Sequence, residues 1–347
     1  MENAVKKVGR TFRFLLFTFR FLLFTCALIL VFGCNDSLRL ISRWDSTSVD
    51  NLIPEATQII NDGLADQNAY IRVKAIEVVA DTKRIKLMPD VRRLLKDEFV
   101  PVRFLAALAV GDLEYHLAER EVAGLLKDED ENVRIAADYA MGRLGYPDRF
   151  QLLRRAISSP DQKVRANAAL LLGKSGDKSA LKLLYRAKED EDSDDKVRFQ
   201  AAEAIAMLGD EKIFPRLWAT VFSYYADDRI MGIRAMGALG TTKAKDVLIT
   251  KLDDDILEIR LAAAEQLGML GYATGELEVL DVFTKNLTAD LDEQGLERVN
   301  VLTALAIGQI GTPSLTKFLP QLLKNDSKLV RIAASKAVFQ CGMKTKN

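Results

Sequence analysis

The chain has 347 residues, 49% of them hydrophobic, with 49 basic and 49 acidic side chains and a formal net charge of zero. By length alone it would hold about two domains. The charge balance excludes the basic footprint that nucleic-acid binding requires.

The first 33 residues differ from the rest. "FRFLLFT" runs from Phe12 to Thr18 and again from Phe19 to Thr25, which leaves Arg13 and Arg20 inside apolar sequence. After Arg20 the uninterrupted apolar run, Phe21 to Gly33, is shorter than the ~20 residues of a spanning helix and has the length of a signal-peptide core. Lys6, Lys7, Arg10 and Arg13 supply the basic region that precedes such a core. Val31-Phe32-Gly33-Cys34 then resembles the lipobox of bacterial lipoproteins, Phe32 departing from the small residue favoured there. The resemblance implies that the Cys34 thiol is joined to diacylglycerol, that residues 1–33 are cut away, and that the new amino terminus is acylated. The other reading is an uncleaved anchor from about Phe14 to Gly33. In both, the basic residues stay in the cytoplasm and everything after Cys34 is exported. The expected location is therefore the bacterial cell envelope, membrane-anchored and facing the periplasm or exterior.

Residues 1–33 carry five basic side chains against Glu2, a net of plus four, so the remainder of the neutral chain has a net charge of about minus four. Cys26 leaves with the signal and Cys34 is lipidated, so only Cys341 remains and no disulfide forms within one mature chain. Residues 34–51 read as a linker.

Residues 52–347 repeat themselves. "ENVRIAADYAMGRLG" from Glu131, "QKVRANAALLLGKSG" from Gln162, "DKVRFQAAEAIAMLG" from Asp195, "LEIRLAAAEQLGMLG" from Leu257 and "KLVRIAASKAVFQCG" from Lys328 are one helix written five times. Alignment on the arginine gives Arg72, Arg103, Arg134, Arg165, Arg198, Arg229 and Arg260, then Asn300 in the equivalent place, then Arg331. Most steps are 31 residues, so nine units fill the region. An aliphatic residue precedes the arginine, a small one follows three after it and a larger apolar one seven after, which places them on one helical face. The small residues let a neighbouring helix approach closely. Glycines eleven after the arginine, such as Gly145, Gly176, Gly240 and Gly271, are natural helix stops. A second helix fits between stops, as in "PDVRRLLKD" from Pro89.

The pattern D-x-x-x-x-V-R-x-x-A-A-x-x-L-G, whose outline Asp128 to Gly142 follows, resembles the HEAT family and more closely its short class, the HEAT-like repeats of phycocyanobilin lyases. The resemblance implies an all-α, right-handed α-α superhelix, a HEAT/armadillo-like solenoid of about nine helix pairs. It also implies that the arginine-bearing second helices line the concave surface.

An arginine in the first turn of a helix is disfavoured by the positive end of the dipole. An acid recurs six residues earlier at Asp66, Asp97, Asp128, Asp192 and Asp254. The arginines are expected to form a structural ladder, each donating to such a carboxylate and to turn carbonyls. The functional alternative is a row of anion-binding arginines. Positions two, five and nine after the arginine are left over when the packed residues are assigned. Leu105, Leu108, Tyr139, Arg143, Leu170, Lys174, Glu203, Arg234 and Glu265 among them are the candidate partner-binding residues of the concave face. The competing reading is that neighbouring helices cover part of this stripe.

Chemistry is hard to find. His116 is the single histidine, and with Cys341 at a packed position no zinc site can be built. The paired His-Glu motifs through which the HEAT-like deoxyhypusine hydroxylases bind iron do not occur, and neither do phosphate-cradling glycine motifs. The acidic run Lys188 to Lys196 lacks the glycine and spacing of a calcium loop. No catalytic, cofactor or metal site is expected. The expected role is a membrane-anchored, non-catalytic scaffold that binds a protein or peptide. The alternative is a bilin lyase-like or chaperone-like protein handling a tetrapyrrole or another cofactor. Metabolic labelling with palmitate is predicted to mark the chain, and Cys34→Ser to abolish both the label and the cut before it.

Overall fold

The computed structural model describes residues 49–146 and 150–344. The signal segment, Cys34 and most of the linker lie outside them. Among the described residues every regular element is helical, and no helix is long and apolar enough to cross a membrane. Leu52–Asn347 forms a compact unit of its own.

Among the described residues nine long helices carry the repeated motif: α1 (Ala69–Asp81), α2 (Val100–Asp112), α3 (Glu131–Arg143), α4 (Gln162–Lys174), α5 (Asp195–Met207), α6 (Ala226–Leu239), α7 (Leu257–Met269), α8 (Glu293–Ile310) and α9 (Lys328–Lys344). Shorter segments alternate with them, among them Met88–Arg93, Glu119–Leu125, Leu181–Glu189, Phe214–Val221 and Thr242–Thr250. Several of the long helices start where a side chain caps them, whereas α2, α6 and α7 start at Phe99, Tyr225 and Ile256 without one. Asn68, Asp130, Asp161 and Asp194 each accept a backbone N–H two or three residues on. They end at residues with positive φ, Gly145, Gly176, Gly209, Gly240, Gly271 and Gly311. In the first two units Lys83 and Glu114 hold that slot at φ 52° and 49°. The step from Arg260 to Asn300 is 40 residues rather than 31, and α8 is lengthened to 18 residues, with Asp292 capping its start.

Each long helix packs on the next, and the layer does not remain open. The ninth packs back on the first. Lys328 Nζ reaches Asp66 Oδ2 at 2.6 Å, Lys336 Nζ reaches Asp81 Oδ2 at 2.7 Å, and the Arg84 guanidinium lies 3.8 Å from the Phe339 ring centroid. The solenoid of helix pairs is therefore a closed ring with the long helices as its inner layer.

That layer is held together by small residues. Ala75, Ala106, Ala137, Ala168, Ala201, Ala263 and Ala334, three after the arginine, are wholly buried. Eight after it, a Cβ on Gly111 would stand 2.8 Å from Ala140 Cα, one on Gly173 2.8 Å from Ala204 Cα, and one on Gly308 2.7 Å from Ala337 Cα. At these glycines the backbones approach too closely to admit a Cβ, whereas the outer segments touch one another in few places. The difference in spacing bends the array until its ends meet. Lys83 is exposed and pays the steric cost of a left-handed conformation at a position glycine occupies elsewhere. Lys83→Gly is predicted to stabilise the fold by about 1 kcal/mol, read as a raised urea midpoint at unchanged slope.

Candidate functional site: the ladder and the ring interior

At the start of eight of the inner helices an arginine binds the turn before it, the following unit, or both. Arg72 Nη1 donates to the carbonyls of Asp66 and Gln67 at 2.8 and 3.1 Å, and its Nη2 to Asp97 of the following unit at 2.8 Å. Arg103 does the same, holding the Asp97 and Glu98 carbonyls and both oxygens of Asp128. Arg229 meets both oxygens of Asp254. The bonds to carbonyls offset the helix dipole locally, and the bond to the acid ties one unit to the next. Arg134, Arg198 and Arg331 bond turn carbonyls, as does Arg260, which also pairs with Glu278 at 3.2 Å. After Arg134 and Arg198 the acid's position is taken by Ser159 and Ser223.

The acid that receives Arg165 is Asp190, at 2.7 Å, not Asp192. The turn there is two residues longer, so counting back six from Arg198 arrives at an exposed position. Asp190, Ser193 and Asp194 of the same acidic run are engaged by Arg165, the Ala187 carbonyl and the start of α5. The first acid, Asp66, is bound by Lys328 across the seam of the ring.

The interior is recognised by contacts that skip a unit. Asp112 of α2 meets Lys174 of α4 at 3.0 Å. Glu265 of α7 is influenced by Lys336 of α9 and by Asp81, which ends α1. Side chains two or three units apart converge only on the concave side. Arg143 pairs with Glu114 at 2.8 Å and Arg234 with Glu203 at 3.4 Å, so these residues form a belt of paired charge.

The apolar part of the predicted stripe is largely covered. Leu108 and Tyr139 are buried, 7% and 1% exposed, and are not surface residues; Leu105 and Leu170 are half-buried. Tyr139 fills the space left by Gly111 and donates to Asp112 at 2.7 Å. Burial pushes its phenol far above the ordinary value. Glu265 is half-buried by its immediate neighbours but walled in by the ring. That desolvation raises its carboxyl above the usual range against the pull of Lys336 and Arg234. Lys336 is half-buried, and although desolvation opposes its charge, Asp81, Glu265 and Glu77 raise its ammonium above the usual lysine range. Glu77 and Lys336 occupy the same position, five after the arginine, as Glu265. Extending that row into the first and last units would have found them.

Among the described residues no group of acids, histidines and cysteines is placed to hold a metal. His116 is exposed, 3.9 Å from Glu119. The Cys341 thiol is buried, and desolvation raises its pKa to about 11, which removes its nucleophilicity at neutral pH. The sequence reading missed one exposed feature. Trp218, Phe222, Tyr224 and Tyr225 cluster around the turn between Phe214–Val221 and α6, with Tyr224 90% exposed. Trp218 and Phe222 have centroids 4.9 Å apart, and Tyr224 and Tyr225 5.4 Å.

Residues 151–221 match the HEAT repeats family. The matched HEAT repeats run from Gln151–Ala156 to Phe214–Val221 and include α4 and α5. No curated protein matches the chain. Among solved structures, the complex of CpcE and CpcF of phycocyanin lyase from Nostoc is similar over 71% of this chain and 91% of its own, at 18% identity and TM-score 0.42. Human deoxyhypusine hydroxylase is similar over 76% and 98%, at 16% identity and TM-score 0.37. Escherichia coli YibA is similar over 72% and 91%, at 19% identity and TM-score 0.34.

The Arg103–Asp128 pair is about nine-tenths buried on both sides. Arg103→Ala, which leaves a buried carboxylate unpaired, is predicted to cost about 3 kcal/mol at pH 7. Burial opposes ionisation of Asp128, but Arg103 and the Asp130 N–H outweigh it and hold the carboxyl below its ordinary value. A depressed folded pKa stabilises above the unfolded value and is lost as pH falls through the folded one. The gap between wild type and Arg103→Ala in urea unfolding should therefore narrow from pH 7 to pH 3.

Proposed function

We infer that this chain is an exported, lipid-tethered ring of HEAT-like repeats that serves as a non-catalytic protein-binding scaffold at the bacterial cell envelope. The observation that carries the binding role is the aromatic turn, where Trp218, Phe222, Tyr224 and Tyr225 stand 45–90% exposed. Large aromatic side chains left in water together are characteristic of a protein docking site, in which tryptophan and tyrosine supply most of the energy. The docking surface is accordingly assigned to this turn, because Leu108 and Tyr139 of the interior stripe are buried. Tethering through Cys34 rests on the lipobox-like Val31 to Cys34 and the basic residues before it.

The test compares chains recovered from detergent-solubilised envelopes, wild type against Trp218→Ala/Tyr224→Ala/Tyr225→Ala, after circular dichroism has shown equal folding. The expected outcome is one stoichiometric protein partner retained by the wild type and bound at least tenfold more weakly by the triple variant. Equal recovery by both would remove the turn from the docking surface. No partner on either would leave the scaffold role without its support.

A further inference from the structure

The seam of the ring contains a cavity of about 140 Å³ between α1, α8 and α9. Its floor is apolar and drawn from all three helices, with Val78, Leu305 and Ile332 as its principal members. Its rim carries Lys74, Glu77 and Lys336. Lys74 is already paired with Glu77 at 2.8 Å and Lys336 with Asp81 at 2.7 Å, two ammonium groups against two carboxylates.

We propose that this cavity binds a small uncharged amphiphile, an apolar body of about six to eight heavy atoms with a hydroxyl or amide head, and that the ligand locks the ring closed. Size sets the first limit. A dry apolar cavity of about 150 Å³ accommodates a molecule the size of benzene. The tetrapyrroles handled by bilin lyases are several times larger and do not fit. The floor sets the second limit, because apolar atoms there reward only an apolar ligand body. Charge sets the third. An ionic head would enter a rim whose charges are already compensated and would leave one unpaired at partial burial, which is costly. A hydroxyl or amide accepts from an ammonium and donates to Glu77 without disturbing the balance. The consequence for the fold comes from topology. Every other junction between neighbouring inner helices is also bridged by the chain, whereas among the described residues α9 and α1 are joined by side-chain contacts without a chain connection. A ligand that touches α1, α8 and α9 together therefore stabilises the closed ring selectively.

Hexanol, hexanoate and hexylammonium serve as probes on the full chain in lipid nanodiscs at neutral pH, read by ligand-observed NMR and by amide hydrogen exchange. Leu305→Trp and Ala333→Leu each fill the cavity, and the same preparation of each is the blank for partition into lipid. Saturable binding of hexanol is expected, at least tenfold tighter than either ion, with exchange slowed in α1, α8 and α9 and unchanged in α4. Both filled variants, shown by circular dichroism to fold, are expected to lose that binding. An ion bound as tightly as hexanol, binding that survives both substitutions, protection spread evenly over the ring, or no saturable binding would each overturn the proposal.

Discussion

Everything in this fold depends on how closely one inner helix can approach the next. At Gly111, Gly173 and Gly308 the neighbouring backbone stands where a side chain would be, and the alanines three after the arginine are buried without remaining exposure. Close approach brings backbone and Cβ atoms into dispersion contact along the whole helix and excludes water from the inner layer. It also fixes curvature, because the outer segments are not drawn together to the same degree. Nine units at this curvature bring α9 back to α1, and a repeat array that would otherwise expose two apolar ends buries one against the other.

The arginine works within that constraint. Arg72 holds its own turn by the carbonyls and the next unit by the carboxylate, so it fixes the angle at which α1 follows the segment before it and the distance to α2. The guanidinium is suited to this because its donors form a rigid fork, which Arg103 uses on both oxygens of Asp128. At the seam, where chain connectivity gives no help, Lys328 takes the acid instead and Arg84 stacks on Phe339. The anion-binding alternative is thereby disfavoured for Arg72, Arg103, Arg165 and Arg229, whose guanidinium groups are engaged by carboxylates.

The interior and the rim divide the molecule's surface chemistry. Inside, charges of opposite sign face one another across helices: desolvation raises the Glu265 carboxyl, and neighbouring acids raise the Lys336 ammonium against desolvation. Outside, the turn before α6 leaves four aromatic rings in water. Paired charge in a confined space suits recognition of small neutral groups, and exposed aromatic area suits a protein surface.

The repeat period, the helix stops and the turn arginines were legible in the sequence, because each is a local property. A glycine at Gly145 or Gly176 ends a helix through its own φ, and an apolar period of three and four marks a helix face whatever surrounds it. The pairing of Arg165 with Asp190 was not legible, since a turn lengthened by two residues moves the acid relative to the count. Nor was the burial of Leu108 and Tyr139, which depends on how near the next helix stands. Closure is the clearest case. Lys328 and Asp66 are 262 positions apart, and Lys336 and Asp81 are 255 apart. The sequence by itself determined the unit, its helices and the small residues between them. Only the tertiary structure decided that the ends meet, because a small bend at every junction is invisible in one repeat and becomes a ring when summed over nine.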